Sequence, residues 1–148
     1  MNWLKKLIRA LFLVKEIISQ EGVLHFQRFR FLQTPWFAIY LHHLLQSDQD
    51  KHPHDHPRHF CSLILRGSYL EQSSHYPNFS TIHSNTFSPG NINWHDARDV
   101  HHIILNSSEV WTLFFVWGRR RTWGYRINKE WVDFQTYRKM KREGAFNK

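Results

Sequence analysis

Apolar positions near the start of the chain recur at steps of three and four, and this spacing changes to near-alternation after Gly22. Residues 2–19 are therefore predicted to form an amphipathic helix, because positions three or four apart share one helical face. Residues 23–31 alternate between apolar and polar, which is typical of a strand with one buried face. Gly22 is expected to end the helix.

Short apolar or alternating runs then follow one another, with turn residues between them. The further predicted strands cover residues 36–45, 60–65, 68–72, 79–86, 92–94, 100–105, 110–117 and 122–127. Residues 130–141 are predicted to form a final helix. About eight to ten short strands, with helices only at the ends, are typical of a β-sandwich or β-barrel.

Composition agrees with one folded domain. The chain has 148 residues, of which 16% are aromatic, and this is enough to build a hydrophobic core. We expect the barrel at residues 23–137, between a helical segment at 1–22 and a basic tail at 138–148. The single cysteine, Cys61, rules out an intramolecular disulfide and agrees with a cytoplasmic location.

The formal net charge of +8 favours an anionic partner. Because much of this charge lies at the two ends, we do not expect the chain to bind nucleic acid. Charged residues interrupt the apolar stretch at 2–19, so we expect neither a signal peptide nor a membrane span there. That segment could make weak contact with a membrane surface, or it could pack against its own domain.

Histidines are concentrated at two places in the predicted barrel. Residues 52–59 contain four of the twelve histidines, and His101 and His102 open a later strand. Pro53 and Pro57 exclude a helix interior in the first stretch. In an extended chain, residues two apart point to the same face and lie roughly 6–7 Å from each other. Such a pair of histidines can bind one metal ion.

Residues at positions of the same parity, odd or even, share one face of a strand, and this reduces the number of candidate ligands. His52, His54 and His56 share one face, and either neighbouring pair could bind an ion through bonds of about 2.0–2.2 Å. We favour His54 and His56, because they directly precede a strand, with His101 as the third ligand; Asp55 faces the other side. Three histidines leave room for substrate or dioxygen on an octahedral ion, which suits Fe(II), with Mn, Ni and Zn as alternatives.

Other residues are candidates for proton transfer and for substrate binding. The candidate proton-transfer groups are Glu71, Tyr69 and His102, and Glu71 could also serve as a fourth ligand. Cationic side chains bind carboxylate or phosphate groups of a small anionic substrate. The candidates for this role are Arg66, Arg98 and Arg121.

The spacing resembles the first motif of the cupin superfamily. In that motif two histidines one residue apart are followed by a glutamate and then a glycine. Residues 54–56 and Gly67 fit this frame, but the glutamate position falls on Phe60 or Cys61. The carboxylate ligand is therefore missing from its usual place.

Two further stretches carry the resemblance. The turn at residues 89–90 followed by His101 resembles the second cupin motif. The run 54–71 and the aromatic segments 111–113 and 123–125 resemble a set of small bacterial and phage cupin-domain proteins of unassigned activity. This similarity informs the fold more than the function.

The resemblance implies an all-β, cupin-type jelly-roll β-barrel or sandwich, here with an N-terminal amphipathic helix and a short C-terminal helix. A three-histidine site resembles that of the thiol dioxygenase branch. It implies a mononuclear, iron-dependent, oxygenase-type enzyme acting on a small molecule or a modified residue. Cupins often pair through their sheets, so the resemblance also implies a homodimer.

Two other functions fit the same residues. A metal-free sugar-nucleotide epimerase or isomerase would use the histidines as general acid and base. A non-catalytic small-ligand binding module would instead dock on a membrane or a partner through residues 2–19.

Overall fold

The computed structural model describes residues 12–18 and 22–146, and in this part the chain forms eleven strands and one helix. The strands are β1 Leu13–Ile18, β2 Leu24–Gln33, β3 Phe37–Leu44, β4 His59–Arg66, β5 Tyr69–Ser74, β6 His83–Phe87, β7 Ile92–His95, β8 Val100–Leu105, β9 Val110–Trp117, β10 Gly124–Ile127 and β11 Glu130–Asp133. The helix α1 covers Phe134–Arg142.

The strands form two main sheets and a hairpin, and every pairing is antiparallel. The larger sheet has the order β1-β2-β3-β9-β4-β7, and the smaller sheet has the order β6-β5-β8. Strands β10 and β11 form the hairpin. The predicted all-β architecture and the short C-terminal helix are confirmed. No helix in the described ranges has the length and apolarity that crossing a bilayer requires.

Alternation along the strands decides which side chains point inward. In β9, Val110, Thr112 and Phe114 are buried, while the residues between them are less so. Val110 packs with Ile64 of β4 and Tyr69 of β5 in the hydrophobic core. This core lies where β4 ends, about 13 Å along the strand from the β4 residues nearest the histidines. The histidines therefore occupy the opposite end of the barrel.

The helix predicted for residues 2–19 is wrong over Leu13–Ile18, because these residues form β1, a strand at the edge of the larger sheet. Ile17 of β1 lies opposite Phe26 of β2. Pairing satisfies the backbone N–H and C=O groups of the segment, and this tertiary partner outweighs the helical spacing of the apolar positions. The rest of that predicted helix, including the side expected to contact a membrane, falls on residues 1–11 and 19–21. These residues lie outside the part of the chain that the structure describes.

The second predicted helix begins later than expected. Residues 130–133 form β11, and α1 starts at Phe134. The Asp133 carboxylate accepts hydrogen bonds from the backbone N–H groups of Gln135 and Thr136, as is usual for a helix N-cap. The domain boundary that we placed at residue 137 falls inside α1.

Asp55 attaches the C-terminal segment to the histidine-rich stretch. Its side chain is 1% exposed. Its carboxylate accepts hydrogen bonds from the Arg121 guanidinium at 2.9 Å, the Trp131 indole N–H at 2.9 Å and the Gly124 backbone N–H at 2.7 Å. One buried acid thus holds the β10–β11 hairpin and the loop before it against residues 54–56.

Replacement of Asp55 should therefore destabilise the fold. Asp55→Ala removes the acceptor of the Gly124 N–H and of the Trp131 indole N–H, and it leaves Arg121 with backbone carbonyls only. We expect a loss of about 3 kcal/mol in the free energy of unfolding. Urea denaturation measures this loss. The control is Asp96→Ala, which removes an acid whose side chain is 69% exposed and paired with His59, and which should cost less than about 1 kcal/mol. Equal losses for the two variants would contradict the anchoring role of Asp55.

Candidate metal centre

His54 lies between two strands and joins the smaller sheet to the C-terminal hairpin. Its backbone N–H donates to the carbonyl of His101 at 3.0 Å, and its carbonyl accepts from the His101 N–H at 2.9 Å. It also forms a bridge to Tyr125 of β10. Residues that exchange both hydrogen bonds lie directly opposite each other with their side chains on the same face. The pairing therefore sets the His54 and His101 rings side by side.

His56 follows two residues later and completes a cluster of three rings, which we call the histidine triad (His54, His56 and His101). The ring centroids are separated by 5.2 Å for His54–His56, 4.8 Å for His54–His101 and 4.9 Å for His56–His101. One ring nitrogen from each histidine lies within 4.8 Å of the other two. These are the three residues that the sequence analysis favoured as ligands.

The separation of two triad nitrogens suits a shared metal ion. The Nε2 atoms of His56 and His101 are 2.8 Å apart. Two adjacent ligands of an octahedral ion with bonds of about 2.1 Å lie about 3.0 Å apart. This pair of nitrogens would therefore need only a small adjustment to bind an ion of this kind.

The electrostatics of the triad also suit metal binding. Burial lowers the pKa of His54 to about 4, and burial together with the neighbouring His101 holds the pKa of His56 well below its ordinary value. Both rings are thus neutral at pH 7. A neutral imidazole has a free lone pair on one ring nitrogen, which is the form that binds a metal ion.

Glu71 orients the third ring. Its carboxylate is 2.7 Å from His101 Nδ1 and 2.8 Å from His95 Nε2, and it accepts a further hydrogen bond from Asn93 at 2.8 Å. Burial opposes ionisation of this carboxyl, but the hydrogen bonds from the two histidines outweigh burial and lower its pKa. An ionised Glu71 keeps the proton of His101 on Nδ1. Nε2 of His101 is then left with a lone pair that faces His56.

A second group of potential ligand atoms, on Glu71, His95 and His101, also falls within 4.8 Å. Here each histidine already faces a carboxylate oxygen at hydrogen-bonding distance, 2.7 Å for His101 and 2.8 Å for His95. Protons on the two rings satisfy the group without an ion. We therefore read it as the support of the triad rather than as a separate metal site.

Phe60 is one of the two residues at which the resemblance places the glutamate of the cupin motif. The side chain is 2% exposed. Its ring centroid lies 4.5 Å from that of His56, 5.0 Å from that of His95 and 5.6 Å from that of His101. An aromatic wall thus replaces a carboxylate ligand, and the triad remains an all-histidine set.

The other two candidates for proton transfer lie apart from the triad. The Tyr69 hydroxyl accepts a hydrogen bond from Asn93 at 3.0 Å, and burial raises the pKa of this core residue. His102 follows His101 in β8, so its side chain points to the other face of the strand. Glu71 is the predicted proton-transfer residue that contacts the triad directly.

The three candidate arginines lie outside the barrel interior. Arg66 is 75% exposed at the far end of β4 and pairs with Glu109 at 3.2 Å. Arg98 lies over the exposed ring of Tyr76, 4.8 Å from its centroid. Arg121 is engaged with Asp55 and with the backbone carbonyl of His56. These contacts give Arg121 a structural role beside the triad, and the substrate binding predicted for it stays a prediction.

Arg28 is a functional candidate that the sequence pattern did not reveal. Its Nε donates to Nε2 of His42 at 2.8 Å. Its guanidinium carbon lies 4.9 Å from the ring centroid of Tyr40 and 5.8 Å from that of Phe114. The Phe114 ring lies 6.4 Å from that of His56. Arg28 therefore presents a positive charge inside the barrel, one aromatic ring away from the triad.

Neither a family model nor a curated protein sequence matches the chain. Solved structures do match it in fold. The iron(II) form of HppE superposes with a TM-score of 0.55 at 9% identity, covering 70% of this chain and 56% of that one. A structure of the DMSP lyases RdDddP and RnDddQII gives 0.54 at 16% identity, covering 68% and 51%. The chain has the cupin fold.

A third match extends over nearly the whole of its partner. KdgF from Halomonas sp. superposes with a TM-score of 0.50 at 17% identity, covering 73% of this chain and 95% of that one. All three structures are cupin-superfamily proteins. The present chain spans about half the length of the first two, 56% and 51%. At identities of this order the likeness concerns the fold.

The lowered pKa of His54 predicts an acid-sensitive fold. As the pH falls from 6.5 towards 4, the unfolded chain gains a proton at His54 that the folded chain does not, so stability falls in this window. His54→Gln should reduce the loss in unfolding free energy between pH 6.5 and 4.5 by about 2 kcal/mol, as measured by urea denaturation of the metal-free protein. The exposed control His83→Gln should retain the wild-type loss. If His54→Gln also kept the full wild-type loss of unfolding free energy, the assignment of that loss to His54 would be wrong.

Proposed function

We propose that the histidine triad holds one divalent ion and that the protein is a metal-dependent enzyme of the cupin fold acting on a small molecule. The observation that carries this proposal is the convergence of His54, His56 and His101, of which the first two are neutral by burial and the third is oriented by ionised Glu71. Histidines oriented by a carboxylate are a recurrent arrangement at metal centres.

Fe(II) is the ion that we propose first, with Mn, Ni and Zn as alternatives. An all-nitrogen set of three ligands leaves up to three positions on an octahedral ion, and one solved neighbour is described as the iron(II) form of its enzyme. Iron(II) held there would supply oxidative chemistry towards dioxygen and substrate. Around it, Phe60 excludes water from one side, and Glu71 keeps the proton on Nδ1 of His101.

The substrate that we propose carries an anionic group. In the described part of the chain, the contacts of Arg28 are with His42 and with aromatic rings rather than with a carboxylate. A half-buried guanidinium without an acidic partner favours a ligand that brings its own negative charge. Arg28 is thus the residue that we propose first for anion binding, and the roles of Arg66, Arg98 and Arg121 stay predictions.

A metal-free isomerase or epimerase is the second candidate, and the Glu71–His101 pair favours it. A carboxylate 2.7 Å from one imidazole nitrogen leaves the other nitrogen free to act as a general base. This activity would survive treatment with a chelator, whereas that of a metal enzyme would not. Homodimerisation through the sheets, membrane contact through residues 2–19 and a cytoplasmic location stay predictions.

Metal analysis tests the main proposal. Protein reconstituted with Fe(II) should retain iron, and His56→Ala should weaken its retention more than tenfold because one of three ligands is lost. The matched control is His59→Ala, which changes a histidine of the same stretch that is paired with Asp96 and should leave iron retention unchanged. Occupancy below about one-tenth after reconstitution of the wild type would contradict the proposal.

Ligand binding tests the role of Arg28. Calorimetry on the metal-loaded protein, with inorganic phosphate and with small dicarboxylates as probes, should show binding that Arg28→Gln weakens about tenfold or more. The control is Arg66→Gln, at the exposed end of β4, which should not change the Kd. A larger effect from Arg66→Gln than from Arg28→Gln would place the anion elsewhere.

A further inference from the structure

A second cluster of potential ligands lies beside His95, on the side away from the histidine triad, and it consists of His75, His95 and Asp99. The Oδ2 atom of Asp99 is 3.0 Å from Nδ1 of His75 and 3.8 Å from Nδ1 of His95. The two imidazole rings are stacked, with centroids 6.0 Å apart and planes 22° apart. Three ligand atoms of these residues lie within 4.8 Å of one another.

His95 brings an unsatisfied nitrogen to this cluster. Its Nε2 faces the ionised Glu71 carboxylate at 2.8 Å and therefore carries a proton. The residue is 1% exposed, and its Nδ1 has no hydrogen-bond partner in the ranges that the structure describes. At 3.8 Å, Asp99 is too distant for a hydrogen bond. A buried Nδ1 that faces a carboxylate is stable only when positive charge lies between the two, carried either by a metal ion or by a proton on the ring.

The distances fit a tetrahedral ion. Ligand atoms bonded at about 2.0–2.2 Å in a tetrahedron lie about 3.4 Å apart. The two measured separations from Asp99 Oδ2, 3.0 Å and 3.8 Å, lie on either side of this value. Two imidazoles and one carboxylate are a common ligand set for zinc.

The cluster is also held in place by its surroundings. The Asp99 carboxylate accepts hydrogen bonds from the backbone N–H groups of Tyr76 at 2.9 Å and Asp96 at 3.0 Å. The His95 ring is fixed by Glu71, which gives a carboxylate–histidine pair of the type that supports metal ligands. The His75 side chain is 50% exposed, so one side of the cluster is open to solvent.

We propose that His75, His95 and Asp99 bind a divalent cation of the zinc class, with water in the fourth position. This site is separate from the triad and does not depend on the function proposed for it. Glu71 contacts a histidine of each site, so one buried carboxylate supports both. The structure thus assigns to His95 and Asp99 a role that their place in a polar segment of the sequence did not suggest.

A protonated His95 is the competing arrangement. Burial by itself would lower the pKa of His95, but Asp99 and Glu71 outweigh burial and raise it to about 9. A proton on Nδ1 would then supply the positive charge that the two carboxylates favour. The two arrangements differ in metal stoichiometry, and this difference can be measured.

Cobalt(II) titration of the metal-free full chain tests the proposal, because tetrahedral cobalt absorbs much more strongly in the visible range than octahedral cobalt. Wild type should bind one ion with strong visible absorption, in addition to any ion held by the triad. His75→Ala should lose that absorption and bind one ion fewer than wild type, with affinity at this site reduced at least tenfold. His83→Ala changes an exposed histidine whose ring is 5.3 Å from that of His75, and it should behave as wild type.

The outcomes separate this inference from the proposed function. His56→Ala should lose the triad ion and keep the strong absorption. If wild type shows no such absorption, or if His75→Ala leaves it unchanged, the inference is wrong and His95 is an imidazolium. Loss of the absorption in His83→Ala would refute the ligand set. Asp99→Asn provides a second test with nearly unchanged side-chain shape, and circular dichroism confirms that each variant is folded.

Discussion

The end of the barrel that carries the histidines depends on one buried carboxylate. Glu71 projects from β5 and accepts hydrogen bonds from His101 in the same sheet and from Asn93 and His95 in the facing sheet. A buried charge is tolerated only when its oxygens are well satisfied, and here three donors from two sheets satisfy them. The same contacts fix the tautomer of His101. Sheet packing and ring orientation are therefore set by a single group.

Much of the fold could be predicted from local pattern. Near-alternation in β2 and the run of β-branched and aromatic residues in β9 both indicate strands. The apolar positions of β1 have helical spacing, and only pairing with β2 makes this segment a strand. β11 was missed for the same reason, since its pairing with β10 outweighs the helical character of the residues that follow.

The candidate site was predictable in part. His54 and His56 follow from parity within one stretch, and the apolar run after His101 marked the strand that brings the third ring alongside. Arg28 and His95 could not be found in this way. Their surroundings include strands far apart in the sequence, such as β9 for Arg28 and β5 for His95. The register of those strands cannot be deduced from local sequence pattern. For Phe60, the sequence showed only that a glutamate of the cupin motif is absent near this position, not that the ring would pack against the histidines.

The bridge at His54 separates two roles within one residue. Its backbone joins the smaller sheet to the C-terminal hairpin, while its side chain belongs to the triad. The backbone bonds do not depend on which side chain the residue carries. In evolutionary terms, this position can exchange its imidazole for another side chain without opening the sheet. A lineage with this architecture could therefore gain or lose metal binding by single substitutions. A conserved fold would then not show whether a given member binds a metal.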